Sequence, residues 1–409
     1  MSRSGAERIG SLDLIRGFAI LGILVINITG FAGPTGATLG PHIPARGSFA
    51  DAAVYAGAMV LFEGKMRALF TILFGASMLL FIERAEAAGR DGDVLQLRRL
   101  AFLLLFGWLH YILFWWGDIL FLFALAGILA LFMRELPVRT LVMVALLTFA
   151  GWHLGGTALT LPEVHSEEQV RLDHGTPAMQ QADATFRRQV DANAQREMAE
   201  YRLGFVRQAA VKLGERPFWL LEMTWPSLGE TLPLMLIGMA LYRTGFFSGG
   251  WPPGRLWRLG LIGTGCGLAI TLEITAWMWA RDFPPQAMSA ALLYWLALPH
   301  LLMGLGYAAL LVLATPRLAA TALGGRLAAA GRMAFSNYIG TTVVMTALFY
   351  GWGLNLMGKV DRVEELAFVL LAWALMLAWS GPWLARYRQG PLEWLWRSLT
   401  EGRRLPLRR

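Results

Sequence analysis

Runs of about 20 consecutive apolar residues recur along this chain, and they limit its fold more than any other feature. A helix of that length can cross the hydrocarbon of a bilayer, because it pairs every backbone N–H and C=O within itself. The runs are continuous rather than alternating, which excludes a transmembrane β-barrel. Composition agrees: 56% of residues are hydrophobic, 16% are charged and the mean hydropathy is +0.49. Soluble domains carry about 25% charged residues. A soluble enzyme, a disordered chain and a disulfide scaffold are therefore excluded. The one cysteine, Cys266, leaves no intrachain disulfide. The reading is an all-α polytopic membrane protein.

Ten spans are expected, at about 16–33, 52–82, 100–116, 118–133, 139–160, 226–243, 259–280, 288–314, 333–351 and 365–385. They divide the chain into a membrane half (1–160), an extracytoplasmic helical loop (161–225), a second membrane half (226–385) and a basic, aromatic tail (386–409). The second span is too long for one straight crossing. It carries Glu63-Gly64-Lys65-Met66-Arg67 in its middle and is expected to be broken, tilted or re-entrant. The third and fourth spans are short and read as a hairpin around Trp116-Gly117-Asp118. The loop holds ten acidic and eight basic residues, with a helix expected over Pro177–Leu213, as a linker or as a lid.

Orientation follows from lysine and arginine. One set of connections holds Arg3, Arg8, Arg16, Arg84, Arg90, Arg98, Arg99, Arg134, Arg139 and most remaining arginines. The short loops on the other side hold Arg46, Arg281, Lys359 and Arg362. This asymmetry puts both termini in the cytoplasm. It also explains the net charge of +8 better than nucleic acid, which is not an expected partner. The tail from Arg386 to Arg397 mixes basic and aromatic residues, as an interfacial anchor does.

Ionisable groups inside spans are costly and mark functional positions. Here they are Glu63, Lys65, Arg67, His110, Asp118, His153, Glu230, Glu273 and His300. On the expected topology most fall in the outer half, which suggests one polar cavity open outward; the alternative is that each is a satisfied contact between helices. His110 is the best candidate base, since imidazole titrates near neutrality and Asp118, across the turn, can fix its tautomer. Lys65 or Arg67 could stabilise an oxyanion. Glu63, Arg67, Glu230, Glu273 and His300 are the candidate substrate-binding set. Arg16, Arg98, Arg99 and Arg332 form a cytoplasmic rim suited to the phosphates of a donor or of anionic lipid. No metal-ligand spacing, Walker loop, Rossmann glycines or nucleophile elbow is present.

Several of these residues fall in a recurring pattern. Ser11-Leu12-Asp13-Leu14-Ile15-Arg16-Gly17-Phe18-Ala19-Ile20-Leu21-Gly22-Ile23, followed by Asn27, resembles the opening of the YeiB-like family, domain of unknown function 418. So do Lys65 with Leu73-Phe74-Gly75, and Gly107-Trp108-Leu109-His110 leading to Gly117-Asp118. Further matches are Leu236-Ile237-Gly238, Gly331-Arg332-Met333-Ala334 with Asn337-Tyr338, and Arg388-Gln389-Gly390-Pro391 with Glu393-Trp394. The resemblance covers almost the whole chain. That family is distantly similar to membrane acyltransferases that include heparan-glucosaminide acetyltransferase. What the resemblance implies is acyl transfer from a cytosolic donor such as acyl-CoA, with no covalent cofactor, to a hydroxyl or amine at the outer face. In the heparan enzyme an Asn late in the first span precedes a catalytic His. Asn27 matches that Asn and is expected to position a carbonyl; His42 is the nearest counterpart of that His, but His110 lies in the YeiB-like motif itself. A sugar, a lipid headgroup or a small metabolite would be the acceptor, membrane lipids would be neighbours, and a homodimer is compatible with the sequence. The rival expectations are a transporter or flippase, and a non-catalytic lipid-binding protein, in a bacterial cytoplasmic membrane.

Overall fold

A computed structural model describes residues 10–45 and 47–409; Arg3, Arg8 and Arg46 of the charge asymmetry lie outside them. Sixteen α-helices account for most of the chain. They are α1 (Gly10–Ala32), α2 (Phe49–Leu61), α3 (Lys65–Ala87), α4 (Gly92–Leu113), α5 (Leu120–Phe132), α6 (Val138–Arg171), α7 (Pro177–Tyr201) and α8 (Phe205–Glu215). After these come α9 (Trp219–Arg243), α10 (Pro253–Trp279), α11 (Pro285–Ala290), α12 (Ala297–Leu318), α13 (Ala322–Arg332), α14 (Ala334–Phe349), α15 (Arg362–Arg386) and α16 (Pro391–Glu401). Among the described residues, six segments are long and apolar enough to cross a membrane: α1, α2–α3 together, α6, α10, α12 and α15. The apolar helices α5 and α14 are shorter. The ten spans expected from the sequence correspond in chain order to α1, α2–α3, α4, α5, α6, α9, α10, α11–α12, α13–α14 and α15. We call the end where α1 begins the start end, and the opposite one the far end.

The apolar window of α1 is 67% buried, against 28% for α6, α10 and α15, so α1 is central and those three form the perimeter. At the centre α1 and α3 pack with α9, α12 and α14 through residues such as Ile15, Ala68, Leu69, Ile72 and Met235, all inaccessible. Close approach there comes from small residues, as packing in lipid requires. A Cβ on Gly75 would lie 2.1 Å from the Met235 carbonyl oxygen, and one on Gly238 would lie 2.0 Å from that of Ile72. The crossing of α3 over α9 thus rests on two reciprocal glycines.

The second span is broken, and the break has a local cause. A capping box of Ser48 and Asp51 starts α2. It ends after 13 residues where the N–H of Glu63 bonds back to the Ala58 carbonyl and Gly64 takes φ +68°, a left-handed conformation suited to glycine. The imidazole of His300 lies against this glycine, where a Cβ would come within 2.0 Å of the ring. The eighth span is interrupted as well: a π-helical turn at Ala291–Trp295 separates α11 from α12.

Two expectations are corrected. The helix expected over Pro177–Leu213 is two helices, divided before Gly204. The ninth span has an extra short helix, α13, tucked against the start of α1.

Candidate functional site

The far half of the bundle encloses a cavity of about 680 Å³. Five sequence candidates from separate stretches line it: Asn27 on α1, Glu63 at the break, Arg67 on α3, Asp118 in the α4–α5 turn and Glu230 on α9. The cavity exists at this depth because α2 stops short and the α4–α5 hairpin turns before the far end.

One ionic chain runs along the wall. Arg67 donates through Nη2 to Glu230 Oε2 at 2.8 Å, and Glu63 stands 4.0 Å from Arg67. The other Glu230 oxygen lies 3.0 Å from His300 Nδ1. His300 is inaccessible, behind Gly64, and its Nε2 has no hydrogen-bond partner among the described residues. Lys65, expected at the site, lies behind the cavity lining: it is inaccessible, and its Nζ donates to the Met59 carbonyl at 2.7 Å, tying α3 to the last turns of α2.

The second constellation is the pair expected from the hairpin. His110 Nδ1 lies 2.7 Å from Asp118 Oδ2, and both side chains are almost completely buried. Asp118 Oδ1 accepts the N–H of Phe121 at 2.7 Å and so fixes the first turn of α5. The imidazole is packed among Phe114, Trp115 and Tyr338. With Nδ1 donating to the carboxylate, Nε2 carries the lone pair, and this atom has no partner among the described residues. Tyr338 braces the turn: its hydroxyl donates to the Gly117 carbonyl and accepts the N–H of Ile119. The ring of His110 is not part of the cavity wall; Gly117 and Asp118 are.

Two residues of the wall were not among the candidates. Arg362 had been assigned to topology and Glu365 to no role, yet both line the cavity on α15. Arg362 Nη1 pairs with Glu365 at 3.1 Å, Nη2 donates to the Ala37 carbonyl at 2.7 Å, and Glu365 accepts from the Thr29 hydroxyl at 3.3 Å. A signal existed: Arg362, Glu365, Val369, Ala372, Met376 and Ser380 form one inward stripe at helical spacing.

Other candidates stand apart. Glu273 is exposed on α10, outside the cavity lining, because the inner stripe of α10 consists of Gly260, Gly263, Gly267 and Thr271. His153 bonds its own helix at Phe149, and His42 pairs with Asp282 at 3.0 Å. The arginine rim is at the start end. Arg16 is held by Asp13 and Ser77, Arg98 reaches the Thr400 carbonyl and Arg332 that of Arg388. Arg99 lies between the rings of Phe81 and Trp396, at 4.7 and 4.3 Å. No group of three or more His, Cys, Asp or Glu among the described residues could hold a metal ion.

Similar chains are found in bacteria. The chain is 32% identical to the uncharacterized protein YeiB of Escherichia coli (strain K12), over 96% of each chain. The chain belongs to the YeiB-like family. A second member, the uncharacterized protein YxaH of Bacillus subtilis (strain 168), is 29% identical over 96% of this chain and 94% of its own. The family model described as a protein of unknown function, DUF418, matches residues 241–403. No solved structure matches.

The YeiB-like motifs now have physical reasons, and most of them are architectural. Arg16-Gly17 and Gly331-Arg332 meet where α1 crosses α13: a Cβ on Gly17 would lie 2.0 Å from the Leu327 carbonyl oxygen, and one on Gly331 would lie 1.9 Å from that of Asp13. Asn337 ties α14 to Ala330, Ser380 and Trp379. In the tail, Glu393 caps the start of α14 by accepting the N–H groups of Phe335 and Ser336, together with the Ser336 hydroxyl. Burial pushes its carboxyl above the ordinary range, against those hydrogen bonds. Among the motif residues, Asn27, Gly117 and Asp118 line the cavity, and His110 pairs with Asp118.

The far-end loop of this family member covers the hairpin. Trp108 and Tyr111 donate to the carbonyls of Pro217 and Arg216. Lys212 of α8 is buried, and its ammonium bonds the carbonyls of Tyr111 and Phe114 at the end of α4. Burial pushes its pKa down to about 7, opposed by nearby Glu200.

Proposed function

We propose that this protein is a membrane acyltransferase that moves an acyl group from a cytosolic thioester donor, such as acyl-CoA, to a hydroxyl or amine held in the far-half cavity. The observation that carries the reading is the His110–Asp118 pair, with Nδ1 committed to the carboxylate and Nε2 uncommitted in a water-poor setting. In that role Nε2 takes the proton of the acceptor O–H or N–H. The acceptor atom bonds to the thioester carbonyl carbon, the C–S bond breaks, and the thiolate leaves with that proton. The start end is cytoplasmic on this reading, by its excess of arginine. There Arg99, with Arg16 and Arg397 acting on it electrostatically, offers positive charge to donor phosphates. Asn27 and Arg67 stand in the cavity wall as candidate partners for the acyl oxygen.

The test is transfer of labelled acyl groups from acyl-CoA by the purified protein in nanodiscs supplied with a membrane extract. His110→Ala should lower the rate by about 10²–10⁴-fold, the usual contribution of a positioned base. Its thermal unfolding should stay near that of the parent. Undiminished transfer by His110→Ala and Asp118→Asn would sink the mechanism. Donor binding, read by thermal shift, should be lost on changing Arg98 and Arg99 together.

One observation favours transport instead. The charged groups that meet the cavity directly are Glu63, Arg67, Asp118, Glu230, Arg362 and Glu365, with His300 behind Glu230, whereas the His110 ring is outside its wall. Accumulation of an unmodified substrate in proteoliposomes, unaffected by His110→Ala, would establish that reading.

A further inference from the structure

The charges of the cavity wall are unequally committed. Its acids are Glu63, Asp118, Glu230 and Glu365, and its bases are Arg67 and Arg362. Asp118 is taken by His110, Glu230 by Arg67 and His300, and Glu365 by Arg362. The Glu63 carboxylate has no hydrogen bond among the described residues; its ion-pair partner, Arg67, stands at 4.0 Å and is already hydrogen-bonded to Glu230. The wall therefore offers one carboxylate whose hydrogen-bonding capacity is unused, with a guanidinium 4.0 Å from it. Around them stand Phe62, Trp116 and Trp219, whose ring faces suit an ammonium group.

The same wall reaches the outside of the bundle. Leu61, Met223, Leu293 and Leu366 all line the cavity and are 39–47% exposed. Leu366 is followed one turn later by Leu370, 60% exposed, on the perimeter face of α15. In a bilayer these side chains meet acyl chains, so an alkyl tail can leave the cavity sideways without crossing water.

We infer that the occupant of this cavity is a zwitterionic, amine-bearing lipid. Its ammonium sits on Glu63, its phosphate faces Arg67, and its tail leaves past Leu61 and Leu366. This deepens the proposed function by naming the acceptor class, and it rests on that reading only for the statement that the lipid is acylated. Glu63 is a binding residue here and needs no role in proton transfer. A net negative wall disfavours an anionic headgroup by the same physics that favours the amine.

The experiment is binding to the purified, delipidated full chain, read by native mass spectrometry and thermal shift. The probes are a short-chain phosphatidylethanolamine, the matching phosphatidylglycerol and free ethanolamine. The expected result is saturable binding of phosphatidylethanolamine, about tenfold or more weaker in Glu63→Gln, as when one partner of a desolvated ion pair is removed. Phosphatidylglycerol and free ethanolamine should bind far more weakly. Leu61→Trp, which narrows the exit, should weaken the lipid and leave ethanolamine unchanged, and both variants should unfold near the parent temperature. Equal binding of phosphatidylglycerol, or an unaltered Glu63→Gln, overturns the headgroup assignment. Equal binding of free ethanolamine overturns the lipid. His110→Ala should retain lipid binding whether or not it transfers acyl groups, so a failure of acyl transfer and a failure of this inference are separately visible.

Discussion

Gly17 shows how much a single hydrogen atom decides in this molecule. Its missing side chain lets the backbone of α13 lie against α1, and the same contact is made from the other side by Gly331. Gly17→Ala should lower stability by about 1–3 kcal/mol, the usual result of forcing a methyl group into a filled contact. Thermal unfolding in detergent would show it. Gly265→Ala, with nothing within 4 Å of the added carbon, should leave the midpoint near that of the parent. An equal drop in both variants would contradict the packing argument. Read as sequence, Gly17 and Gly75 could be packing residues, but nothing local says which glycines lie at a helix crossing. The structure identifies them, because Gly17, Gly75 and Gly238 each meet a carbonyl oxygen of the crossing helix. The His110–Asp118 pair was legible since both partners belong to one hairpin, eight residues apart. The Arg67–Glu230–His300 chain was legible only as three costly side chains, because its partners are 163 and 70 residues apart. Nothing local in a sequence states such a pairing.

Among the elements, α8 is the one that pH should loosen. The Lys212 ammonium is buried against the end of α4, with Tyr111 and Tyr201 facing it and Glu200 and Arg216 nearby. Its pKa is down at about 7, from an ordinary 10.5. Between these values the unfolded chain binds a proton that the folded one does not. The contribution of this group to stability therefore rises with pH across that window, and below about 7 burying the charge is unfavourable at full strength. Relative to Lys212→Met, which keeps the apolar stem and has no charge, the parent should gain thermal stability from pH 7 to pH 9. Parallel profiles for the two proteins would show that Lys212 is not the titrating group. The division between α7 and α8 was hidden from helical periodicity, although Gly204 was in plain view. What ends α7 is tertiary: the Tyr201 carbonyl is taken by the N–H of Gly351 and by Gln208 Nε2. The helix α13 was missed for a related reason, since an alanine- and glycine-rich segment between two spans has no strong pattern of its own. The broken second span was readable, because Glu63-Gly64-Lys65 inside an apolar run leaves few other arrangements.

At the scale of the whole molecule, the orientation proposed from arginine puts the start of α1 and the end of the chain on the cytoplasmic side. With Cys266 replaced by serine, a cysteine at Arg409 should be protected from a membrane-impermeant thiol reagent in intact cells, and a cysteine at Asp173 should react. The reverse pattern would invert the orientation proposed from arginine. Composition alone settled the class of fold, since no soluble arrangement hides so much apolar surface. Cavity depth was not legible, because it depends on where two helices stop. One of them, α5, has 13 residues and a length of about 20 Å, against roughly 30 Å of hydrocarbon. The cavity reaches Ile119, just before α5 begins, so along this span the length of α5 separates the cavity from the start end. A membrane voltage falling over two-thirds of the usual distance gives a field about one and a half times as steep, and a full elementary charge crossing it gains about 2.3 kcal/mol per 100 mV. With water filling the cavity, a charge passing from it to the start end would cross that steeper field, and its rate would depend on whether the cell is energised.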